Sequence, residues 1–309
     1  MGTVAVMAHY DPDGRLAPHA QRNAAALLEV ADRVLLVTTA VLTDEARAAV
    51  PPGVELVERE NDGYDFYSWR TAIENLDLAR VDQLITCNDS YVGPLVGYPR
   101  IVAAMAGAAV DFWGITRTDR REPHVQSYFV AYRGWVLRSA AFARFWRTMV
   151  PVSDRLRVIK EYELGLSRGL LAAGFGMGAY FVETPADART ARRRHLWWAA
   201  NAVRNQPPDK RLLAARRMPF EHWNPMAALA DRALPDGRLP AVKLDTLRYD
   251  PYRLGAAALL ARCEAAFPDR FAGVREFLAR TSGTYAGRGG GAGSSQRSAP
   301  ALIRATLGY

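Results

Sequence analysis

Cysteine is scarce in this chain: Cys87 and Cys263 are the two in 309 residues. Two thiols cannot build a disulfide framework, which excludes a small stapled secreted fold and fits a reduced, cytoplasmic setting. Histidine occurs only at positions 9, 19, 124, 195 and 222. No His-x-x-x-His or paired-Cys spacing is among them, so a zinc site is not expected. Long hydrophobic runs are missing too. The stretch from Val34 to Leu42, broken by two threonines, is too short to cross a bilayer. The N-terminus has no basic region followed by an apolar one, so no secretory signal is expected. Neither a Walker phosphate loop nor a Gly-x-Ser-x-Gly elbow is present.

Half of the residues are hydrophobic and 23% are charged, enough for a sizeable core and about two domains. Forty basic residues against 32 acidic leave a net charge of +8, which favours anionic partners such as nucleotides or a cytoplasmic leaflet. The basic runs Arg192-Arg193-Arg194 and Arg216-Arg217 accompany no nucleic-acid-binding signature, so nucleic acid is not an expected partner.

Read in order, the chain alternates strands and helices. Strands are expected at Thr3–Ala8, Val34–Thr38, Val54–Val57, Gln83–Cys87 and Val110–Thr116, with helices at 16–31, 43–50, 68–78 and 99–109. That rhythm implies an α/β fold with a mainly parallel sheet and right-handed crossovers. An aromatic and β-branched strand is expected over Val125–Arg133, helices over 140–149 and 154–173, and a short strand over 179–182. From Asp187 the pattern turns mostly helical, with Asn224 capping a helix that Pro225 opens and two more short helices over 251–281. The expected organisation is a domain over 1–185, a mostly helical extension over 186–283, and a Gly/Ser/Arg-rich disordered tail over 284–309.

The polar clusters fall where strands end, and open α/β sheets bind ligands outside the carboxyl ends of their strands. Asn88-Asp89-Ser90 follows a buried strand; its Asp can hold Mg²⁺ or Mn²⁺ with a diphosphate, or the three can form a self-bonded turn. Glu60-Asn61-Asp62-Gly63-Tyr64-Asp65 is a polar turn whose Gly permits positive φ. His9-Tyr10-Asp11-Pro12-Asp13-Gly14 resembles the first motif of haloacid-dehalogenase-type phosphatases, with Asp11 as nucleophile. The later acidic pair of that family is missing, and the only lysines are Lys160, Lys210 and Lys243. A turn or a nucleotide-contacting loop is the preferred reading. In His124-Val125-Gln126-Ser127-Tyr128, strand alternation puts Gln126 and Tyr128 on one face, where both can meet a sugar. Glu161 and Glu163, two apart on a helix, point in different directions.

Taken in order, HYDPDG, ENDGYDFYSW, NDSYVGPL, DFWG, HVQSYF and EYELGLS resemble the rhamnan synthesis F family of bacterial polysaccharide-assembly glycosyltransferases. The likeness covers about residues 3–185, and WNP with VKLDTLRYDP resembles the family's C-terminal part. Where the family is usually written with Gly, this chain has Tyr67. More distantly, the chain resembles inverting GT-A glycosyltransferases. Asn61-Asp62-Gly63 is similar to their Asn-x-Gly turn. Asn88-Asp89-Ser90 is similar to their metal-binding Asp-x-Asp, with Ser90 for the second Asp. Tyr162-Glu163 before Ala173-Gly174 is similar to their Glu-Asp pair, with Tyr162 for the Glu.

The resemblance implies a GT-A-like sheet, Glu163 as general base, and Asp89 as catalytic and metal-holding carboxylate for a divalent cation, Mg or Mn. It implies nucleotide-sugar contacts from His9, Tyr10, Asp11, Asn61, Gly63, Tyr64, Asp65, Ser68, Asn88 and Ser90. Sugar or acceptor contacts are implied for Asp111, Trp113, His124, Gln126 and Tyr128, with Arg168 or Arg70 near the leaving group. The implied donor is dTDP-L-rhamnose, the acceptor a growing surface or lipid-linked glycan, and the place the inner face of the plasma membrane, with peripheral contact. A non-catalytic nucleotide- or glycan-binding subunit of the same machinery is the alternative, kept open by Ser90 and Tyr162.

Overall fold

Seven short runs, mostly buried, pair into one sheet: β1 Thr3–His9, β2 Arg33–Thr38, β3 Val54–Glu58, β4 Gln83–Asn88, β5 Phe112–Gly114, β6 Phe129–Arg133 and β7 Met177–Ala179. The computed structural model describes residues 2–119, 122–204, 207–217, 224–234 and 237–284. The sheet order is β3-β2-β1-β4-β6-β5-β7. β1, β2, β3 and β4 run parallel to their neighbours, as do β5 and β7; β6 alone runs antiparallel, to β4 and β5. The expected α/β class with a mainly parallel sheet holds. β1 is apolar at nearly every position because both of its faces are covered. Val4, Val6 and Ala8 lie in one core cluster with Phe66, Trp69, Phe142 and Trp146. Alternation sends Ala5 and Met7, fully buried, to the other face.

The chain divides into two compact units. The first takes residues 1–89, 96–117 and 122–180 and contains the whole seven-stranded sheet. Its helices include α1 Pro18–Leu27, α2 Asp44–Ala48, α3 Tyr64–Ile73, α4 Tyr98–Ala106, α5 Ala140–Thr148 and α6 Leu164–Ala172. The second takes the described residues of 90–95, 118–121 and 181–309. Within it, Val242–Lys243 pairs antiparallel with Tyr91–Val92, and α7 Pro185–Arg204 precedes α8 Arg211–Arg217. Asp187 is buried there and accepts from Arg238 at 2.7 Å and Thr184 Oγ1 at 2.7 Å. Asn224 caps the helix that Pro225 opens, taking the Ala227 N–H at 3.2 Å. The expected tail from residue 285, and Trp223, lie outside the described residues.

Three local differences from the sequence reading matter for the site. Helix α3 starts at Tyr64 rather than Ser68, because Gly63 and Tyr64 both adopt positive φ, 69° and 55°, and turn the chain into the helix early. A Cβ on Gly63 would sit 2.6 Å from that of Tyr67, so only glycine fits. The expected strand 125–133 is broken: His124–Val125 and Phe129–Arg133 are separate, with a turn at 126–128. The expected helix 154–173 contains one π turn, Ile159–Glu163, closed by Leu164 N–H on the Ile159 carbonyl.

Candidate functional site

The chain leaves β1 towards β2 and β3 on one side and returns to β4 on the other. Adjacent parallel strands whose connections diverge open a crevice at their carboxyl ends. β1 and β4 are in register through Ala8 and Asn88, so His9-Tyr10-Asp11 and Asn88-Asp89 emerge side by side. Tyr10 N–H donates to Asp89 Oδ2 at 3.0 Å, and His19 Nε2 lies 3.1 Å from the Asp89 carbonyl. Asn88 Nδ2 donates to Asp65 Oδ2 at 2.7 Å, tying the first turn of α3 to the end of β4. Trp69, 1% exposed, donates Nε1–H to the Cys87 carbonyl at 2.8 Å and fixes that helix against the strand end.

Burial pushes the Asp89 carboxyl up to about 7, the Asp65 and Asp11 carboxylates adding to it and the Tyr10 amide opposing. Burial also drives His9 down to about 4 against the pull of Asp11, so its imidazole is neutral near pH 7. His9 Nδ1 lies 2.9 Å from Thr38 Oγ1, at the end of β2.

The same edge continues onto the turn that enters β6. Asn88 N–H donates to the Tyr128 carbonyl at 3.2 Å, and the preceding residue, Ser127, donates Oγ–H to Glu163 Oε2 at 2.7 Å. Asp89 and Glu163 are thus joined by a short run of contacts through Asn88, Tyr128 and Ser127. The π turn carries Glu163 inward to 9% exposure, while Glu161 faces solvent and pairs with Arg157. Tyr162 is buried, its hydroxyl donating to the Val150 carbonyl.

Other expected site residues are placed differently. Gln126 and Tyr128 do converge, but through the turn: Thr116 Oγ–H donates to Gln126 Oε1 at 2.6 Å, and the Tyr128 hydroxyl donates back to Thr116 at 2.6 Å. Both are buried, and burial pushes the Tyr128 phenol far up, so they line the floor of the edge. Trp113 is buried against Phe129 in mid-sheet. Asp111 stands before β5, at the opposite edge, where it accepts from Trp135 Nε1 at 2.7 Å and Gly176 N–H at 2.6 Å. That edge is remote from the carboxyl ends, so Asp111 is not brought to the crevice. Asp11 is buried, and its Oδ1 accepts from Asp13 and Arg15 N–H at 2.9 and 3.3 Å. It forms a turn, which is not the open nucleophile a phosphatase needs. Ser90 belongs to the second unit, where its carbonyl accepts from Leu244 N–H at 2.9 Å.

Asn61 is exposed, and the side chain joined to Asn88 is Asp65. Ser68 is buried and receives Arg59 Nε at 3.0 Å. Arg59 also reaches the Glu60 and Tyr64 carbonyls and stacks over Tyr67, locking the polar turn. Its role was not visible in sequence, where it reads as one more arginine. Arg168 pairs with Glu122 at 2.9 Å, and Arg70 with Glu74 and the Met149 carbonyl.

Among the described residues no group of three or more His, Cys, Asp or Glu side chains is arranged to hold a metal ion. A protein cage is therefore not what these residues offer. Magnesium-like ions commonly bind through one or two carboxylates and a substrate diphosphate. Asp89, repelled by Asp65 and Asp11, fits that mode, because a cation would relieve the crowding of negative charge.

A family model described as rhamnan synthesis protein F matches residues 34–220. Virulence protein VirA of Vibrio anguillarum is 31% identical over 116 residues, which is 36% of this chain and 36% of that protein. An uncharacterized protein, y4gN, of Sinorhizobium fredii is 26% identical over 133 residues, 41% of this chain and 35% of that protein. The chain thus spans about a third of the length of these curated relatives. Glucosyl-3-phosphoglycerate synthase from Mycobacterium tuberculosis, solved with Mn²⁺, uridine diphosphate and phosphoglyceric acid, is 11% identical at a TM-score of 0.34. That similarity covers 64% of this chain and 76% of that one.

Proposed function

The chain belongs to the rhamnan synthesis protein F family, and on that premise we propose that it is a glycosyltransferase, probing the crevice between β1 and β4 with a nucleotide sugar. The observation that carries the reading is the placement of Asp89 and Glu163 on one edge, linked through Asn88, Tyr128 and Ser127. The diphosphate meets the His9-Tyr10 backbone, Asn88 and Asp89. Where a divalent cation binds, Asp89 holds it, and it supplies positive charge to the departing diphosphate. Asp65 orients the Asn88 amide.

Glu163 is the base. An acceptor hydroxyl is a weak nucleophile, so a fixed carboxylate takes its proton as the new glycosidic bond forms and the sugar–phosphate bond breaks. The electron pair of that bond leaves on the nucleoside diphosphate. dTDP-L-rhamnose is the donor that fits the family, and a growing glycan or lipid-linked saccharide is the acceptor.

Glu163→Gln tests the reading. dTDP-L-rhamnose binding should be retained while transfer falls by at least about 100-fold. Unchanged turnover contradicts the base assignment. Donor binding without turnover by the unmutated chain supports the binding-subunit reading instead.

Peripheral membrane contact is part of the proposal. Among the described residues no helix is long and apolar enough to span a membrane. Along α7, Arg189, Arg193, Leu196, Ala200 and Arg204 recur at helical spacing and are exposed. Lys210, Leu212 and Leu213 are exposed beyond it. Cations beside protruding leucines complement an anionic bilayer surface.

A further inference from the structure

His124 is 1% exposed. Its Nδ1 lies 2.8 Å from the Glu122 carbonyl. A carbonyl only accepts, so Nδ1 carries the proton and Nε2 is the nitrogen with a lone pair in the neutral ring. That Nε2 faces Glu163 Oε1 at 3.6 Å. The other carboxylate oxygen, Oε2, is held by Ser127 Oγ–H at 2.7 Å. The two oxygens therefore have different neighbours: one is pinned by a donor, the other looks at a base.

A Ser, a His and a Glu in contact might suggest a nucleophilic triad. The connections are the wrong ones for it, because Ser127 bonds the carboxylate and not the imidazole. We infer that Ser127 and His124 are positioning residues for Glu163, with His124 Nε2 as the site to which Glu163 passes the proton it has taken. The inference rests on the proposed base role of Glu163.

The step balances without a co-reactant. The acceptor O–H proton moves to Glu163 Oε1 as its oxygen bonds the anomeric carbon, and the pair from the broken bond leaves on phosphate. Glu163 then gives that proton to Nε2, forming an imidazolium that the Glu122 carbonyl supports through Nδ1–H. The 3.6 Å separation is longer than a hydrogen bond; such contacts commonly tighten when substrate fills the site. The groups around the pair are Ser127, the Tyr128 phenol, which senses the Glu163 charge, and Glu122, whose carboxylate is paired with Arg168. Glu163 is the last residue of the π turn, a feature frequent at functional sites.

Ring-¹⁵N NMR of the full chain tests this without an acceptor, His124→Gln identifying the His124 signals by their loss. The expected result is an Nδ1–H tautomer for neutral His124, the Glu122 carbonyl accepting that hydrogen bond. An Nε2–H tautomer overturns the inference. Kinetics with dTDP-L-rhamnose then separate it from the base assignment. If Glu163→Gln abolishes transfer, His124→Gln should lower kcat about tenfold or more with KM unchanged. Should that variant lose its cooperative melt, Ser127→Ala decides: a similar fall in kcat supports the inference, and wild-type kcat overturns it. Turnover retained in Glu163→Gln defeats the base assignment itself, whichever tautomer the NMR shows.

Discussion

The two edges of one sheet use the same residue types in opposite ways. At the amino ends of the parallel strands, Asp111 is satisfied by Trp135 and Gly176, and Arg133 caps the carbonyls of Met105, Ala106, Ala108 and Val110. Charge there is spent on holding loops. At the carboxyl ends, Asp89 is crowded by Asp65 and Asp11, and Glu163 Oε1 lies 3.6 Å from His124 Nε2. Charge there is left unbalanced, which costs stability and is available to a ligand. The comparison shows that an acidic residue near a strand acquires meaning from the direction of the strand, which sequence spacing does not display.

Exchanging the two edges should separate function from stability. Asp89→Asn is expected to weaken nucleotide-sugar turnover by about 100-fold or more with little loss of melting temperature. Asp111→Asn should leave kcat within about twofold and destabilise the fold by about 1–3 kcal/mol. Steady-state kinetics beside denaturant titration read both, and equal kinetic effects would erase the distinction. Trp69→Phe sharpens it further. Losing the donor to the Cys87 carbonyl should cost about 1–2 kcal/mol and loosen Asn88, so KM for the donor rises along with the fall in stability.

A pH effect comes next in size, in the absence of nucleotide and cation. Asp89 is raised from 3.8 to about 7, so it stabilises the fold fully below 3.8 and loses that contribution as pH rises to about 7. His9 is lowered from 6.5 to about 4, so its contribution is present above 6.5 and is lost as pH falls to about 4. The two slopes oppose each other between about 4 and 6.5. Asp89→Asn removes the first, and its stability should fall on acidification by on the order of 1–3 kcal/mol more than wild type. Parallel curves from urea titrations at several pH values would contradict the Asp89 assignment. The smallest expected effect concerns the second unit. Leu212, 66% exposed, replaced by Glu should reduce co-sedimentation with phosphatidylglycerol vesicles several-fold without changing the melt. Equal binding would remove α8 from the proposed membrane face.

Much of the first unit was legible because its parallel strands are buried on both faces and read as unbroken apolar runs, as in Thr3–His9 and Gln83–Asn88. Asp89 was legible for the same reason, since a polar residue at the end of such a run has few places to go. The break at Gln126-Ser127-Tyr128 was not, because an aromatic residue in a turn looks like a strand residue when its partner, Thr116, is twelve residues away. Nor was the π turn, since one extra residue in a helix leaves no compositional mark. Arg59 reaches Ser68 and Ser127 reaches Glu163 across nine and 36 residues, separations that no spacing rule covers.

The account stands on Asp89 and Glu163 serving one crevice. Calorimetric titration of dTDP-L-rhamnose, with and without Mn²⁺, into the wild type, Asp89→Asn and Glu163→Gln tests it most directly. Saturable binding that Asp89→Asn abolishes and Glu163→Gln preserves, together with loss of transfer in both, is the expected result. Binding indifferent to Asp89→Asn would contradict it.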